Sequence, residues 1–111
     1  MNITEEKKDG ITICNIGGEI NINTSPQLRK SFESFVEAKT TKIVVDFSQV
    51  SYIDSSGLAT FIELLQRLKK VGGTFRICSM SQKVKNIFEV TKLYKLFEIF
   101  DTREAALSNF L

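Results

Sequence analysis

The run Lys42-Ile43-Val44-Val45-Asp46-Phe47 is short, continuous and rich in β-branched residues, the pattern of a central parallel strand buried on both faces. Helical periodicity lies on either side of it. Leu28, Phe32, Phe35 and Val36 recur at i, i+4, i+7 and i+8, with Arg29, Lys30, Glu33 and Glu37 outside that stripe. Leu58, Phe61, Ile62, Leu65 and Leu68 form a second stripe, opposite Glu63, Gln66, Arg67 and Lys70. Strands alternating with helices build a mostly parallel sheet, so the fold class is α/β.

The remaining elements follow from punctuation. Asp9-Gly10 is a two-residue hairpin turn between a strand beginning near Ile3 and the run Ile11–Ile16. Asn23-Thr24-Ser25-Pro26 starts the first helix: Thr24 or Ser25 can cap it, Pro26 fits its first turn, and Thr24 and Gln27 have capping-box spacing. The second helix begins at about Ser55-Ser56 and stops at Gly72-Gly73. Thr74–Cys78 reads as a strand, Ser81 caps a short helix with Val84, Ile87 and Phe88 inward, and Leu96–Phe100 reads as another strand. Asp101 and Glu104 have capping-box spacing before Ala105, Ala106, Leu107, Phe110 and Leu111, a last helix. The expectation is one domain over residues 1–111, with a four- to five-stranded sheet and about four helices.

Composition removes several functions. Fifteen Lys and Arg against thirteen Asp and Glu give +2, and the basic residues are scattered, which suits a solvated mixed surface and not direct nucleic-acid binding. The chain has no histidine, which excludes His-dependent triads and the commonest metal ligand. Cys14 and Cys78 stand alone in apolar runs, so no metal or redox site is expected and a reducing cytoplasm fits. No apolar run approaches the ~20 residues of a membrane helix, so no membrane insertion is expected. No cofactor is implied either. The nine Phe fall mostly on apolar stripes and read as core. Met80 reads as core or rim, and Asp46 with Asp54 makes no convincing acid–base pair.

One stretch could carry chemistry: Tyr52-Ile53-Asp54-Ser55-Ser56-Gly57-Leu58, between a central strand and a helix. Backbone N–H groups of a first helical turn lack intrahelical partners and favour an anion. Two readings stand side by side. Asp54 and the serines are ordinary caps, with Gly57 there for close packing. Alternatively, a hydroxyl here receives a phosphate, the helix N-terminus stabilises the product, and Gly57 leaves room for an enzyme's active site.

Several segments in order resemble the STAS family, and within it the bacterial anti-sigma factor antagonists. Gly18-Glu19-Ile20 resembles the family's Gly-Glu-Leu segment, Ile43–Phe47 its central strand, and Ile53-Asp54-Ser55-Ser56-Gly57-Leu58 its signature at the second helix. Gly72-Gly73 and Val84-Lys85-Asn86-Ile87-Phe88 fall where the family places them. The resemblance covers nearly the whole chain. It implies a regulatory protein and not an enzyme. The unphosphorylated form binds an anti-sigma factor that is also a serine kinase, which frees the sigma factor. Phosphorylation ends the binding, and a serine phosphatase resets it. Carried over, Ser56 is the phosphoacceptor, with Ser55 as a polar neighbour, Asp54 positioning the loop or touching the partner, and Gly57 and Leu58 completing the motif.

One position departs from the family pattern. Asn21 stands where an aspartate often follows Gly-Glu-Leu, and it reads either as a turn residue or as a partner contact. Asn21, Asn23, Thr24 and Ser25 are expected beside Ser56. Two other functions remain open. A constitutive adaptor of the same fold, in a signalling or transporter complex, would need no phosphorylation. A nucleotide-binding protein would hold a phosphate at the same helix end, although the phosphate-loop and dinucleotide glycine patterns are absent.

Overall fold

The computed structural model describes residues 1–110 of the chain; Leu111 lies outside the described residues, and with it the last residue of the expected final helix. The elements are β1 (Asn2–Lys8), β2 (Ile11–Ile20), α1 (Ser25–Glu37), β3 (Lys42–Ile53), α2 (Ser55–Lys70), β4 (Thr74–Cys78), α3 (Gln82–Val90), a 3-10 turn (Leu93–Lys95), β5 (Glu98–Phe100) and α4 (Arg103–Leu107). The sheet order is β1-β2-β3-β4-β5; β1 runs antiparallel to β2, and the other pairs are parallel. The α/β fold with five strands and four helices is therefore the one expected. Asp9 and Gly10 both have positive φ, which the tight β1–β2 hairpin requires.

Successive strand residues face opposite sides of the sheet, and the core divides accordingly. Ile43, Val45 and Phe47 of β3 face the large core made with α1, α2 and α3. Val44 faces the other way, joining Ile11, Ile13, Cys78, Ala106 and Phe110 under α4. Cys14 belongs to the first cluster and Cys78 to the second. Burial pushes the Cys14 thiol up to about 12 and the Cys78 thiol to about 11, so both are neutral, small core residues at pH 7. The rings of Phe61, Phe47, Phe88, Phe97 and Phe75 form a closed circuit with centroids 5.3–6.3 Å apart, which ties α2 and α3 to the sheet. Met80 is half-buried against this core.

Several elements differ from the sequence reading. β3 continues to Ile53, because its polar second half pairs with Gly17–Ile20 across two register shifts. On α2 the deepest residue between Phe61 and Leu68 is Leu64, at i+3 from Phe61, while Ile62 and Leu65 sit at the rim. Thr24 precedes α1 but makes no side-chain cap, because its hydroxyl is committed to Glu19 O at 2.9 Å and accepts from Asn21 N at 2.8 Å; the capping box with Gln27 does not form. β5 begins only at Glu98, since Leu93–Lys95 coil into the 3-10 turn. α4 is capped by Thr102, not Asp101, through a bond from Ala105 N at 3.1 Å. It ends at Leu107, and Phe110 packs beyond it.

So short a helix needs anchors from elsewhere. Arg103 supplies one: it donates to Asp46 Oδ2 at 2.9 Å, to Glu6 Oε2 at 3.1 Å and to Asn15 Oδ1, joining α4 to β1, β2 and β3. Arg76 supplies another: it donates to Ala106 O and Ser108 O at 2.9 Å each and lies over the rings of Phe100 and Phe110. Burial acts to raise the Asp46 carboxyl pKa, but hydrogen bonds from Ser48 and Arg103 outweigh it and leave the group below its ordinary value. A carboxyl held low in the folded state adds stability above its unfolded pKa of about 3.9, and loses it as the pH falls through the lower folded value. Arg103→Ala is therefore expected to lower stability at pH 7 by about 1–3 kcal/mol, most of it from the Asp46 arm because the exposed Glu6 arm is screened by water. Urea unfolding at pH 7 and pH 3 checks this: the gap between variant and wild type narrows in acid. An equal gap at both values would remove Asp46 from the account.

Candidate functional site

The site forms where β3 hands over to α2. β3 ends at Ile53, extended Asp54 turns the chain, and α2 starts at Ser55. Asp54 caps this helix through its side chain: Oδ1 accepts from Ser56 N at 2.9 Å and from Gly57 N at 3.2 Å. The first helical turn thus has its anion already, and it is Asp54. The Ser56 and Gly57 N–H groups are therefore already engaged, and a phosphate at this helix end would compete with Asp54 for them. The same Oδ1 lies 2.6 Å from Ser56 Oγ, and Ser56 is the donor to it. That hydroxyl, against a smaller opposing effect of burial and together with backbone N–H groups of Gly57, Ser56 and Ile22, holds the Asp54 carboxyl below its ordinary value.

Gly57 explains how the helix can start here. A Cβ at this position would stand 2.6 Å from Ile20 Cγ2 and 2.7 Å from Ile53 Cγ1. Close packing of the helix on the strand ends, one of the two sequence readings of Gly57, is thus what the geometry requires of it. Leu58 is likewise a core residue, 7% exposed, and supports the helix without facing a partner. Ser55 is exposed and Ser56 is half-buried.

The β2–α1 connection comes to the same place. Ile20 O accepts from Asp54 N at 3.0 Å, which sets the two chain segments side by side. Asn21 Oδ1 accepts from Asn23 N at 2.9 Å and Thr24 N at 3.2 Å, an Asx turn. Asn21 thus takes the turn role that the sequence offered it. Ser25, at the start of α1 and 4% exposed, donates to Asn21 O at 2.7 Å and lies 2.9 Å from Ser56 Oγ. Asn23 is exposed and Thr24 half-buried. The sequence reading missed Ile22, 73% exposed at the tip of this turn; Tyr52, the first residue of the stretch singled out, lies against Lys83 Nζ at 5.4 Å from the ring centroid. A lone apolar residue between two asparagines was the available signal for Ile22.

A different concavity, of about 610 Å³, lies on the α4 side of the sheet and is lined by Thr4, Glu6, Asn15, Asp46, Ser48 and Arg103 among others. Its arginine is already paired with its two carboxylates. Among the described residues no group of three or more His, Cys, Asp or Glu is arranged to hold a metal, and no helix is long and apolar enough to cross a membrane.

The packing and the cap are separately testable. Gly57→Ala is expected to destabilise the fold by about 1–3 kcal/mol, because two branched core side chains must shift. Asp54→Ala is expected to cost about 0.5–2 kcal/mol through the lost cap, and Asp54→Asn less, because asparagine caps well. Thermal unfolding followed by circular dichroism reads both; a Gly57→Ala protein as stable as wild type would contradict the close approach.

Comparison with known proteins agrees with this geometry. Residues 2–106 match the STAS domain. The anti-sigma-B factor antagonist of Staphylococcus aureus is 29% identical over 104 residues, which cover 94% of this chain and 96% of that protein. The crystal structure of an anti-sigma factor antagonist from Mycobacterium paratuberculosis superposes with a TM-score of 0.89 at 26% identity, covering 98% of this chain and 92% of that one. The Bacillus cell fate determinant SpoIIAA in its phosphorylated form shares the fold, with a TM-score of 0.73 at 20% identity and 96% of each chain covered. Fold, motif and match over 2–106 together place the chain in the STAS domain family.

Proposed function

We propose that this protein is a cytoplasmic anti-sigma factor antagonist, a binding module and not an enzyme, whose docking surface surrounds the head of α2. The unphosphorylated form binds an anti-sigma factor that is also a serine kinase, and so releases a sigma factor. The kinase transfers the γ-phosphoryl group of ATP to Ser56 Oγ: the bond to ADP breaks, the new P–O bond forms, and the hydroxyl proton leaves. A serine phosphatase reverses the modification.

The observation that carries this reading is the Ser56 hydroxyl, set 2.6 Å from a carboxylate at the junction of two turns, in a chain similar over nearly its full length to anti-sigma factor antagonists. Around it, Ile22, Asn23 and Ser55 are exposed and give a partner both apolar and polar contacts. A phosphate adds roughly −1.5 to −2 charges at pH 7. Placed beside Asp54, that charge concentrates negative potential where a partner must dock. The loss of roughly 3–4 kcal/mol would weaken binding several-hundred-fold.

Incubation with the cognate anti-sigma kinase and ATP is expected to add one phosphate, mapped to Ser56 by mass spectrometry. The Ser56→Ala protein should take none, and Ser55→Ala should still be modified. Ser56→Asp is expected to keep the wild-type circular dichroism spectrum and to bind the kinase several-hundred-fold more weakly. If Ser56→Ala binds, cycles and responds like wild type in each assay, the phosphorylation reading fails and the constitutive adaptor takes its place.

A further inference from the structure

Three oxygen contacts run in a line through the site: Asn21 O to Ser25 Oγ at 2.7 Å, Ser25 Oγ to Ser56 Oγ at 2.9 Å, and Ser56 Oγ to Asp54 Oδ1 at 2.6 Å. Only two hydroxyl hydrogens are available for them, one on each serine. The carbonyl at one end and the ionised carboxylate at the other can only accept. Ser56 gives its hydrogen to Asp54, and the hydrogen of Ser25 has both Asn21 O and Ser56 Oγ within reach.

Phosphorylation changes this count. An ester oxygen at Ser56 carries no hydrogen, so its short contact with Asp54 turns from a hydrogen bond into a repulsion between two acceptors. The one hydroxyl hydrogen remaining in the cluster is that of Ser25. Asn21 O does not depend on it, because that carbonyl also accepts from Ser25 N at 2.8 Å and Thr24 N at 3.1 Å. Ser25 is 4% exposed, so its hydrogen has little access to water as an alternative.

We infer that Ser25 is a positioning residue for the modified state: its hydroxyl, within reach of both Asn21 O and position 56, donates to the phosphoseryl group there and holds it, while Asp54 pushes it outward. The role rests on Ser56 being the phosphoacceptor proposed above. The charged groups near the position are Asp54 at the head of α2 and Glu19 at the end of β2, which Asn21 Nδ2 reaches at 3.4 Å. Arg29, one turn along α1 from Ser25, is paired with Glu63.

The test installs phosphoserine at position 56 during translation by codon reassignment, so that no kinase is needed, and follows the phosphate by phosphorus NMR against pH. Its second ionisation lies near pH 6 for a free phosphoserine. Ser25→Ala removes a donor that favours the dianion and is expected to raise that midpoint by roughly half a pH unit, the worth of one ordinary hydrogen bond. Asp54→Asn removes a like charge and is expected to lower it. A Ser25→Ala protein that titrates as the unsubstituted phosphoprotein does would overturn the inference. Failure of a kinase to modify Ser56 would sink the proposed function instead and would leave this titration unchanged.

Discussion

The first turn of α2 can stand against the ends of β2 and β3 only because residue 57 has no side chain. Ile20 and Ile53 occupy the space where a Cβ would be. Everything at the site follows from that contact. It brings Asp54 level with Ile20, whose carbonyl bonds the Asp54 amide, and so it fixes where β3 stops and the cap begins. It also brings the head of α2 within hydrogen-bonding distance of the head of α1, so that Ser56 meets Ser25, a residue thirty-one positions earlier in the chain. The closely packed Gly57 and the proposed phosphoacceptor Ser56 are therefore one device: the first sets the position of the second.

The α/β architecture was legible because each element carries its own periodicity, and those periods are local. The Ile43–Phe47 run, the two amphipathic helices and the glycine turns all lie in the elements expected of them. Features that depend on distant residues were not legible. Ser48–Tyr52 looks like a loop because its residues are mostly polar, and it is a strand only through pairing with Gly17–Ile20. Thr24 has the chemistry of a cap but spends its hydroxyl on Glu19 O, which lies outside the helix. Asp46 gave no sign of its role because its partner, Arg103, lies fifty-seven residues away.

The same division holds at the site. The motif located Asp54, Ser56 and Gly57, since caps and helix starts are written in adjacent residues. It did not reveal that the aspartate engages the N–H groups of Ser56 and Gly57, because that depends on side-chain rotation. An unfilled helix N-terminus would welcome a phosphate as a stabilising ligand. A filled one leaves a new phosphate beside a carboxylate, and the sign of the local electrostatics is reversed.

That reversal bears on how a modification here could act without unfolding the domain. Two unit charges 4 Å apart repel by about 1 kcal/mol in water and by about 4 kcal/mol at the effective dielectric of a protein surface. At the upper figure that strain exceeds what one cap contributes, so it would be relieved by movement. Two directions of movement are available. Inward, Gly57 and Leu58 are backed by Ile20, Ile53 and the phenylalanine circuit, and a close-packed interior resists displacement. Outward, Ser56 is half-buried beside exposed Ser55, and rotation of one side chain suffices. The easier direction is the second, which carries the phosphate into the surface a partner would cover and leaves the core as it was. The rigidity that Gly57 gives the helix head is then what keeps the response to a new charge local.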